Sequence, residues 1–262
     1  MGMLTDVEVV LFDLDGTLYN GESAIPGAIE TTDWLRTQGI ALRFVTNTTS
    51  RGRAVLAEKL RRLGFRASES EVFNPTAAAG AYLRQRGASA LLLALPAALP
   101  DFVGVRQDDE HPDYVVVGDL GEQWTYALLN KAFRLLHAGA RLIALGMSRY
   151  WLAADGLRLD VGPFVAALEY ASGVKPIVLG KPDAEFYRLV LTDAGAGPSQ
   201  ALMVGDDIQT DVAGAQAVGL RAVLVRTGKF TEADLASGIT PDAILNSVAD
   251  LPGLISRGGA RG

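Results

Sequence analysis

The chain of 262 residues has no cysteine, which excludes disulfides, thiolate metal sites and a cysteine nucleophile. It has no apolar run near the roughly 18–20 residues that a membrane span needs. Its opening, Met1-Gly2-Met3-Leu4-Thr5-Asp6, lacks the basic stretch followed by an apolar one that marks a signal peptide. By elimination, a soluble cytoplasmic protein with no membrane partner is expected. Basic residues are scattered, with no stripe to follow a phosphate backbone, so no nucleic-acid partner is expected either. Low-complexity tracts and fixed-period repeats are missing. So are the Walker spacing and a Gly-x-Gly-x-x-Gly loop after a strand, which leaves no glycine-rich nucleotide loop.

What is present is ordinary globular material. Hydrophobic residues make up 49% and charged residues 21%, a balance that supports a packed core rather than disorder. The length suits one large domain, or a core plus a second unit. The net charge is −6. A phosphorylated ligand would therefore need a local positive source: a metal ion, a lysine or a helix N-terminus.

Short apolar runs alternate with longer amphipathic segments, the pattern of an α/β protein with a parallel sheet. Strands are expected at Val7–Phe12, Ala41–Val45, Ala90–Ala94, Tyr114–Val117, Leu142–Leu145, Ile177–Leu179, Ala201–Val204 and Ala222–Val225. Helices are expected at Ala28–Gln38, Arg51–Leu63, Pro75–Arg86, Trp124–Ala138, Phe164–Ser172, Asp183–Ala194, Asp211–Val218 and Glu232–Ala236. Gly39, Gly64, Gly87, Gly139, Gly195 and Gly219 stand where helix C-caps belong. Ala97–Pro112 reads as loop-rich, and the tail Arg257–Gly262 as frayed. Residues 81–176 have their own strands and helices but none of the chemistry below. They are expected to form an inserted α/β domain, with residues 1–80 and 177–262 forming the core.

Four apolar runs end in, or just before, a polar residue: Val7–Phe12 in Asp13, Ala41–Val45 in Thr46, Ile177–Leu179 before Lys181, and Ala201–Val204 before Asp206. In an open parallel sheet, ligands bind beyond the carboxyl ends of the strands. If these strands are neighbours, the four residues converge. In Asp13-Leu14-Asp15-Gly16-Thr17 two carboxylates spaced by two project to one side of extended chain. One can attack phosphorus and the other can move the proton of the leaving oxygen. The plain alternative is a hairpin, since Asp-Gly between apolar residues is a strong hairpin signal. Thr46, in Phe44-Val45-Thr46-Asn47-Thr48-Thr49-Ser50, can donate a hydroxyl to a phosphate oxygen. The segment reads as well, or better, as the N-cap of the following helix. Lys181 is one of five lysines. At a strand exit it would offset charge on a transferring phosphoryl group, although a lone lysine in a loop is usually just solvated. Asp206, Asp207 and Asp211 supply the hard oxygens that Mg²⁺ prefers, or else an acidic helix start. An EF-hand is excluded there, because the central Gly and terminal Glu are missing. Gly118-Asp119 also follows a strand but has no partner residues.

As an ordered set, Asp13-Leu14-Asp15-Gly16-Thr17, Thr46, Lys181 and Gly205-Asp206-Asp207 with Asp211 resemble the four motifs of the haloacid dehalogenase superfamily. The resemblance implies a Rossmann-like core with an inserted α/β cap. It implies that Asp13 is the nucleophile and a metal ligand. Asp15 would be the general acid/base and would lend the metal a backbone carbonyl. Thr46, with Asn47, and Lys181 would bind phosphate, and Asp206 would hold Mg²⁺. Gly16, Asp207 and Asp211 would support them. Dehalogenases of the superfamily lack a carboxylate at the position of Asp15, so its presence points to phosphoryl transfer. The stretches Gly146–Trp151, Asp155-Gly156-Leu157, Gly162-Pro163-Phe164 and Leu168-Glu169-Tyr170-Ala171 resemble the cap of a subfamily. It includes N-acetylglucosamine-phosphate phosphatase-like proteins and the phospholysine phosphohistidine inorganic pyrophosphate phosphatase group.

The expected activity is Mg²⁺-dependent hydrolysis of a small phosphorylated metabolite, a monoester or else a pyrophosphate or phosphoamide, through an aspartyl-phosphate. Arg149, Tyr150 and Trp151 offer a cation beside aromatics for the leaving group, or else pack the cap's own core. A homodimer through the cap is a family expectation. A phosphotransferase or mutase, and a phosphate-ligand sensor without catalysis, are the rival readings. A pure binder has no use for Asp15.

Overall fold

The computed structural model describes residues 4–153 and 155–255. The expected fraying of Arg257–Gly262 lies outside the described residues. The chain forms two compact units. One is built from the chain up to Thr46, from Leu56–Phe73 and from Lys181 onward. The other is built from Asn47–Val55 and Asn74–Gly180.

The first unit is organised by a six-stranded parallel sheet. Its order is Ala243–Leu245, Arg221–Val225, Ala201–Gly205, Val9–Asp13, Ala41–Val45, Val72–Phe73. Val9, Val10, Leu11 and Phe12 are all buried. Such a run, apolar on both pleat faces, marks a central strand covered on both sides. One face packs Val10, Phe12, Leu42, Phe44, Leu202 and Val204 against Leu35, Leu56 and Leu60 of the helices Ala28–Thr37 and Arg53–Arg62. The register pairs Phe12 with Val204 and Phe44, and Asp13 with Val45. The strand after-ends at Asp13, Thr46 and Asp206 are thereby set side by side.

The second unit has a five-stranded parallel sheet: Pro176–Val178, Arg141–Ala144, Tyr114–Val117, Ser89–Leu93, Arg106–Gln107. The helices Tyr126–His137 and Val161–Ser172 pack on it through Ala132, Leu136, Val165 and Leu168. An antiparallel hairpin, Tyr150–Ala153 with Gly156–Leu159, is separate from that sheet. Among the described residues no helix is long and apolar enough to cross a membrane.

Most expected elements lie within two or three residues of the observed ones, and the six glycines named as caps all have positive φ. Four expectations need correction. The strand before Lys181 is Pro176–Val178, and it pairs with Arg141–Ala144 in the second sheet, not with the Val9–Asp13 strand. The expected helix Asp211–Val218 begins earlier, as a wide π turn at Ile208–Ala213, followed by Gly214–Gln216 in α geometry. Asp207 causes this start, because its carboxylate accepts from Gln209 and Thr210 N–H while its carbonyl accepts from Asp211 and Val212. The stretch Ala97–Pro112 is less irregular than its composition implies, with a 3-10 turn at Pro96–Phe102 and an edge strand at Arg106–Gln107.

The fourth correction concerns Thr46–Ser50 as a helix cap. The helix starts at Arg53, whose N–H donates to both carboxylate oxygens of Asp101, each at 3.2 Å. Asp101, 3% exposed, also accepts from the Thr76 hydroxyl. Asn74 caps the helix Pro75–Arg86 and donates to the Arg51 carbonyl at 2.8 Å. This buried network fixes the second unit's Asn47–Val55 segment. Asp101→Ala would leave the Arg53 N–H without its acceptor, while the Thr76 hydroxyl keeps Asn74 Oδ1 at 3.0 Å. An unpartnered polar group costs about 1–3 kcal/mol when buried. Denaturant unfolding is expected to show a loss within that range.

Candidate active site

The Val9–Asp13 strand ends in a tight turn rather than a hairpin. The Leu14 carbonyl accepts from Leu18 N–H at 2.8 Å, and Gly16 N–H donates to the Tyr19 carbonyl at 2.8 Å. Leu14 is buried, Asp13 half-buried and Asp15 exposed. Gly16 has φ +91°, and a Cβ there would overlap the Asp206 carboxylate. Only glycine satisfies both conditions.

Lys181 is not delivered by a strand of the first sheet, yet its side chain reaches the end of the central strand. Its Nζ donates to Asp13 Oδ1 at 2.5 Å and to Asp211 Oδ1 at 2.6 Å. The side chains of Lys181 and Asp211 are 2% and 1% exposed. Asp13, Asp206 and Asp211 place carboxylate oxygens within 4.8 Å of one another. The wide turn at Ile208–Ala213 aims Asp211 inward. Tyr187, fully buried, braces that turn by donating its hydroxyl to the Thr210 carbonyl at 2.7 Å.

Three carboxylates thus face one buried ammonium, and burial, with the charges around it, sets their protonation. Burial raises the Asp13 carboxyl, with Lys181 opposing and Asp206 adding to the rise. Burial also raises Asp206, against the N–H of Lys229. Asp211 is pushed up to about 6 by burial, Lys181 opposing and Asp13 adding. For Lys181, burial alone would lower the ammonium, but Asp13 and Asp211 outweigh it and the net direction is upward. Asp207 behaves differently. Burial raises it, but the hydrogen bond from Thr210 N–H, the charge of Lys229 and the bond from Gln209 leave it lowered. Asp207 is the helix cap of the acidic run.

The cluster is suited to a divalent cation. Asp206 Oδ1 is buried without a hydrogen-bond partner, while Oδ2 accepts from Lys229 N–H at 2.6 Å. A buried carboxylate oxygen without a donor is costly unless a cation or proton serves it. The sequence reading missed the loop that supplies this N–H, Thr227-Gly228-Lys229. Its signal is the same as for the other groups: it follows the strand Arg221–Val225 at the carboxyl edge of the sheet.

Thr46 lies beside Asp13 through the pairing of Asp13 with Val45, is 8% exposed, and donates its N–H to the Phe73 carbonyl at 3.2 Å. Asn47 belongs to the second unit. So do Arg149, Tyr150 and Trp151. Tyr150 and Trp151 are 54% and 46% exposed, which overturns the reading that they pack the cap's own core. The Arg149 guanidinium lies 5.8 Å from the Tyr150 ring centre. Asp119, which the sequence left outside the set of matching motifs, accepts from Gly121 N–H at 2.8 Å and serves a local turn.

Comparison with known proteins places this arrangement. The family described as haloacid dehalogenase-like hydrolase matches residues 10–100, and a second, HAD-hydrolase-like profile matches residues 178–251. Haloacid dehalogenase-like hydrolase domain-containing protein 2 of Rattus norvegicus is 46% identical over 228 residues, 87% of each chain. The phospholysine phosphohistidine inorganic pyrophosphate phosphatase of Xenopus laevis is 42% identical over 251 residues, 93% of this chain and 92% of that one. Among solved structures, a p-nitrophenyl phosphatase from Archaeoglobus fulgidus has a TM-score of 0.87 at 30% identity, covering 94% of this chain and 98% of its own.

The charge imbalance gives the pH dependence a definite sign. Asp211 holds its proton more tightly folded, at about 6, than at its ordinary 3.8. Its contribution to metal-free stability is present below 3.8 and lost as pH rises through about 6. A divalent cation held in this cluster would favour its ionised carboxylates over the protonated ones. Thermal stabilisation by the cation is expected to be small below about pH 5 and to grow above about pH 6. Melting temperatures with and without the cation across this range check it.

Proposed function

Because the chain belongs to the haloacid dehalogenase-like hydrolases, we propose that it is a Mg²⁺-dependent phosphatase that hydrolyses a small phosphorylated metabolite through an aspartyl-phosphate on Asp13. The observation that carries the reading is the Lys181 ammonium held between Asp13 and Asp211, beside the unpartnered oxygen of Asp206. A structural ion pair needs no third buried carboxylate, whereas a site for phosphate and a cation does.

Asp13, Asp206 and the backbone carbonyl of Asp15 would hold Mg²⁺, with Asp211, Asp207 and Gly16 shaping the site. Bound there, Mg²⁺ offsets the charge on the phosphoryl oxygens and the attacking carboxylate. An Asp13 oxygen forms a bond to phosphorus as the bond to the leaving oxygen breaks. Asp15 gives its proton to that oxygen. Asp15 then takes a proton from water, which attacks phosphorus. The bond from phosphorus to Asp13 breaks and inorganic phosphate is released. Lys181 and the Thr46 hydroxyl hold the phosphoryl oxygens during both steps, with Asn47 contributing from the segment after Thr46.

The family resemblance gives the second unit the part of a cap, a unit whose task is to exclude water and select the leaving group. Arg149, Tyr150 and Trp151 suit a planar or anionic leaving group, because the rings are exposed and the cation sits beside one of them. The similarity to a phosphatase named for phospholysine, phosphohistidine and pyrophosphate supports including phosphoamides and pyrophosphate in the substrate class. Pairing of two caps into a homodimer is part of the proposal, with Leu157 and Leu159 of the hairpin as exposed apolar surface.

Phosphate release from a panel of phosphorylated metabolites, with and without Mg²⁺, tests this directly. Asp13→Asn is expected to abolish release while circular dichroism and melting stay close to those of the parent. Asp15→Asn is expected to slow release by about 10²–10⁴-fold, the usual range for one proton-transfer group. Retained turnover in Asp13→Asn would overturn the proposal.

A further inference from the structure

The loop Thr227-Gly228-Lys229 does more than follow a strand. The Thr227 hydroxyl donates to the Gly16 carbonyl at 2.6 Å. Lys229 N–H donates to Asp206 Oδ2 at 2.6 Å. Between these bonds, Gly16 and Gly228 lie back to back. A Cβ on Gly16 would come within 3.0 Å of the Gly228 Cα, and a Cβ on either glycine would overlap the Asp206 carboxylate. Both have positive φ, +91° and +64°, so an L side chain is disfavoured at each on backbone grounds as well. Two turns from distant parts of the chain are thus pressed together over one carboxylate.

The consequence falls on Asp206. One of its oxygens is fixed by a backbone donor, and the other is buried without a partner. A freely rotating carboxylate would exchange the two oxygens, or swing one toward the Lys181 ammonium, whose charge acts on it. The N–H of Lys229 stops that rotation. Groups behind a ligand that fix its orientation typically control metal affinity by about 10–100-fold.

We propose that Thr227 is a positioning residue for the metal site. By tying its loop to the Gly16 carbonyl, it holds the Lys229 N–H against Asp206 Oδ2 and presents Oδ1 to the cation. This rests on the reading of Asp206 as a Mg²⁺ ligand. The link is mechanical and runs through backbone, so the Lys229 side chain is not required for it. That side chain is 72% exposed, its ammonium lies 3.7 Å from Asp207, and its charge acts on Asp206 and Asp13 only through space, without a hydrogen bond between them among the described contacts.

The test is calorimetric titration of Mg²⁺ into the full chain without substrate, for the parent, Thr227→Val, Thr227→Ser and Lys229→Ala. Thr227→Val keeps the shape and removes the donor. It is expected to weaken Mg²⁺ binding by about tenfold or more, with metal-free melting close to the parent. Thr227→Ser restores the hydroxyl and is expected to restore affinity. Lys229→Ala keeps the backbone N–H and is expected to bind Mg²⁺ within about threefold of the parent. In turnover, Thr227→Val should need more Mg²⁺ for half-maximal rate and approach the parent kcat at saturation. Parent-like Mg²⁺ affinity in Thr227→Val, or failure of Thr227→Ser to restore it, would overturn the inference. Absence of Mg²⁺ binding in the parent would instead overturn the metal assignment on which it rests.

Discussion

The structure of the first unit turns on one unbalanced charge cluster. Lys181 touches Asp13 and Asp211, and Asp206 lies within the same few ångströms. One ammonium cannot neutralise two buried carboxylates and a half-buried third, and taking charge out of water is costly. The cluster must therefore keep a proton or take a cation. The upward shifts of Asp13, Asp206 and Asp211 are the protonated answer to that problem. A divalent cation is the other answer, and in the proposed mechanism it would leave Asp13 ionised and able to attack. The instability that the fold tolerates here is thus what makes the site useful.

Tolerating it requires rigid surroundings. The central strand is buried on both faces, and its neighbours in register set Asp13, Thr46 and Asp206 in a row. Asp211 is brought in by a wide turn that Asp207 starts and Tyr187 braces. Glycine does the remaining work by absence. At Gly205, as at Gly16, a Cβ would overlap a carboxylate of the cluster, here Asp211. The short acidic motifs of this chain therefore include residues whose task is to leave room.

Much of this was legible in the sequence. Short apolar runs and well-capped helical stretches gave themselves away, among them Tyr114–Val117 and Pro75–Arg86, the latter with Pro at its first position and Gly87 at its end. Asp13, Asp15, Asp206 and Lys181 stood out because polar residues at strand exits are informative in a parallel sheet. The sheet that carries each strand was not legible. The run Ile177–Leu179 could be read as a neighbour of the central strand, but the strand there, Pro176–Val178, pairs in the second sheet, because an apolar run of a few residues carries no address. Val72–Phe73 and Ala243–Leu245 are too short to show a period. The clamp by Thr227 and Lys229 depends on backbone groups of residues far apart in the chain, and side-chain type does not announce it. Asp101 is similar: it lies in a loop-rich stretch, and only the fold brings it to Arg53 and Thr76.

The central claim is that Asp13 carries the phosphoryl group between two half-reactions. Rapid quenching during turnover, followed by borohydride reduction, would convert an aspartyl-phosphate to homoserine and mark the residue. The account predicts homoserine at position 13, formed only when Mg²⁺ and substrate are both present. Phosphate release with no modification at Asp13, under conditions in which a synthetic acyl phosphate on the protein is reduced, would contradict it and point to direct attack by water.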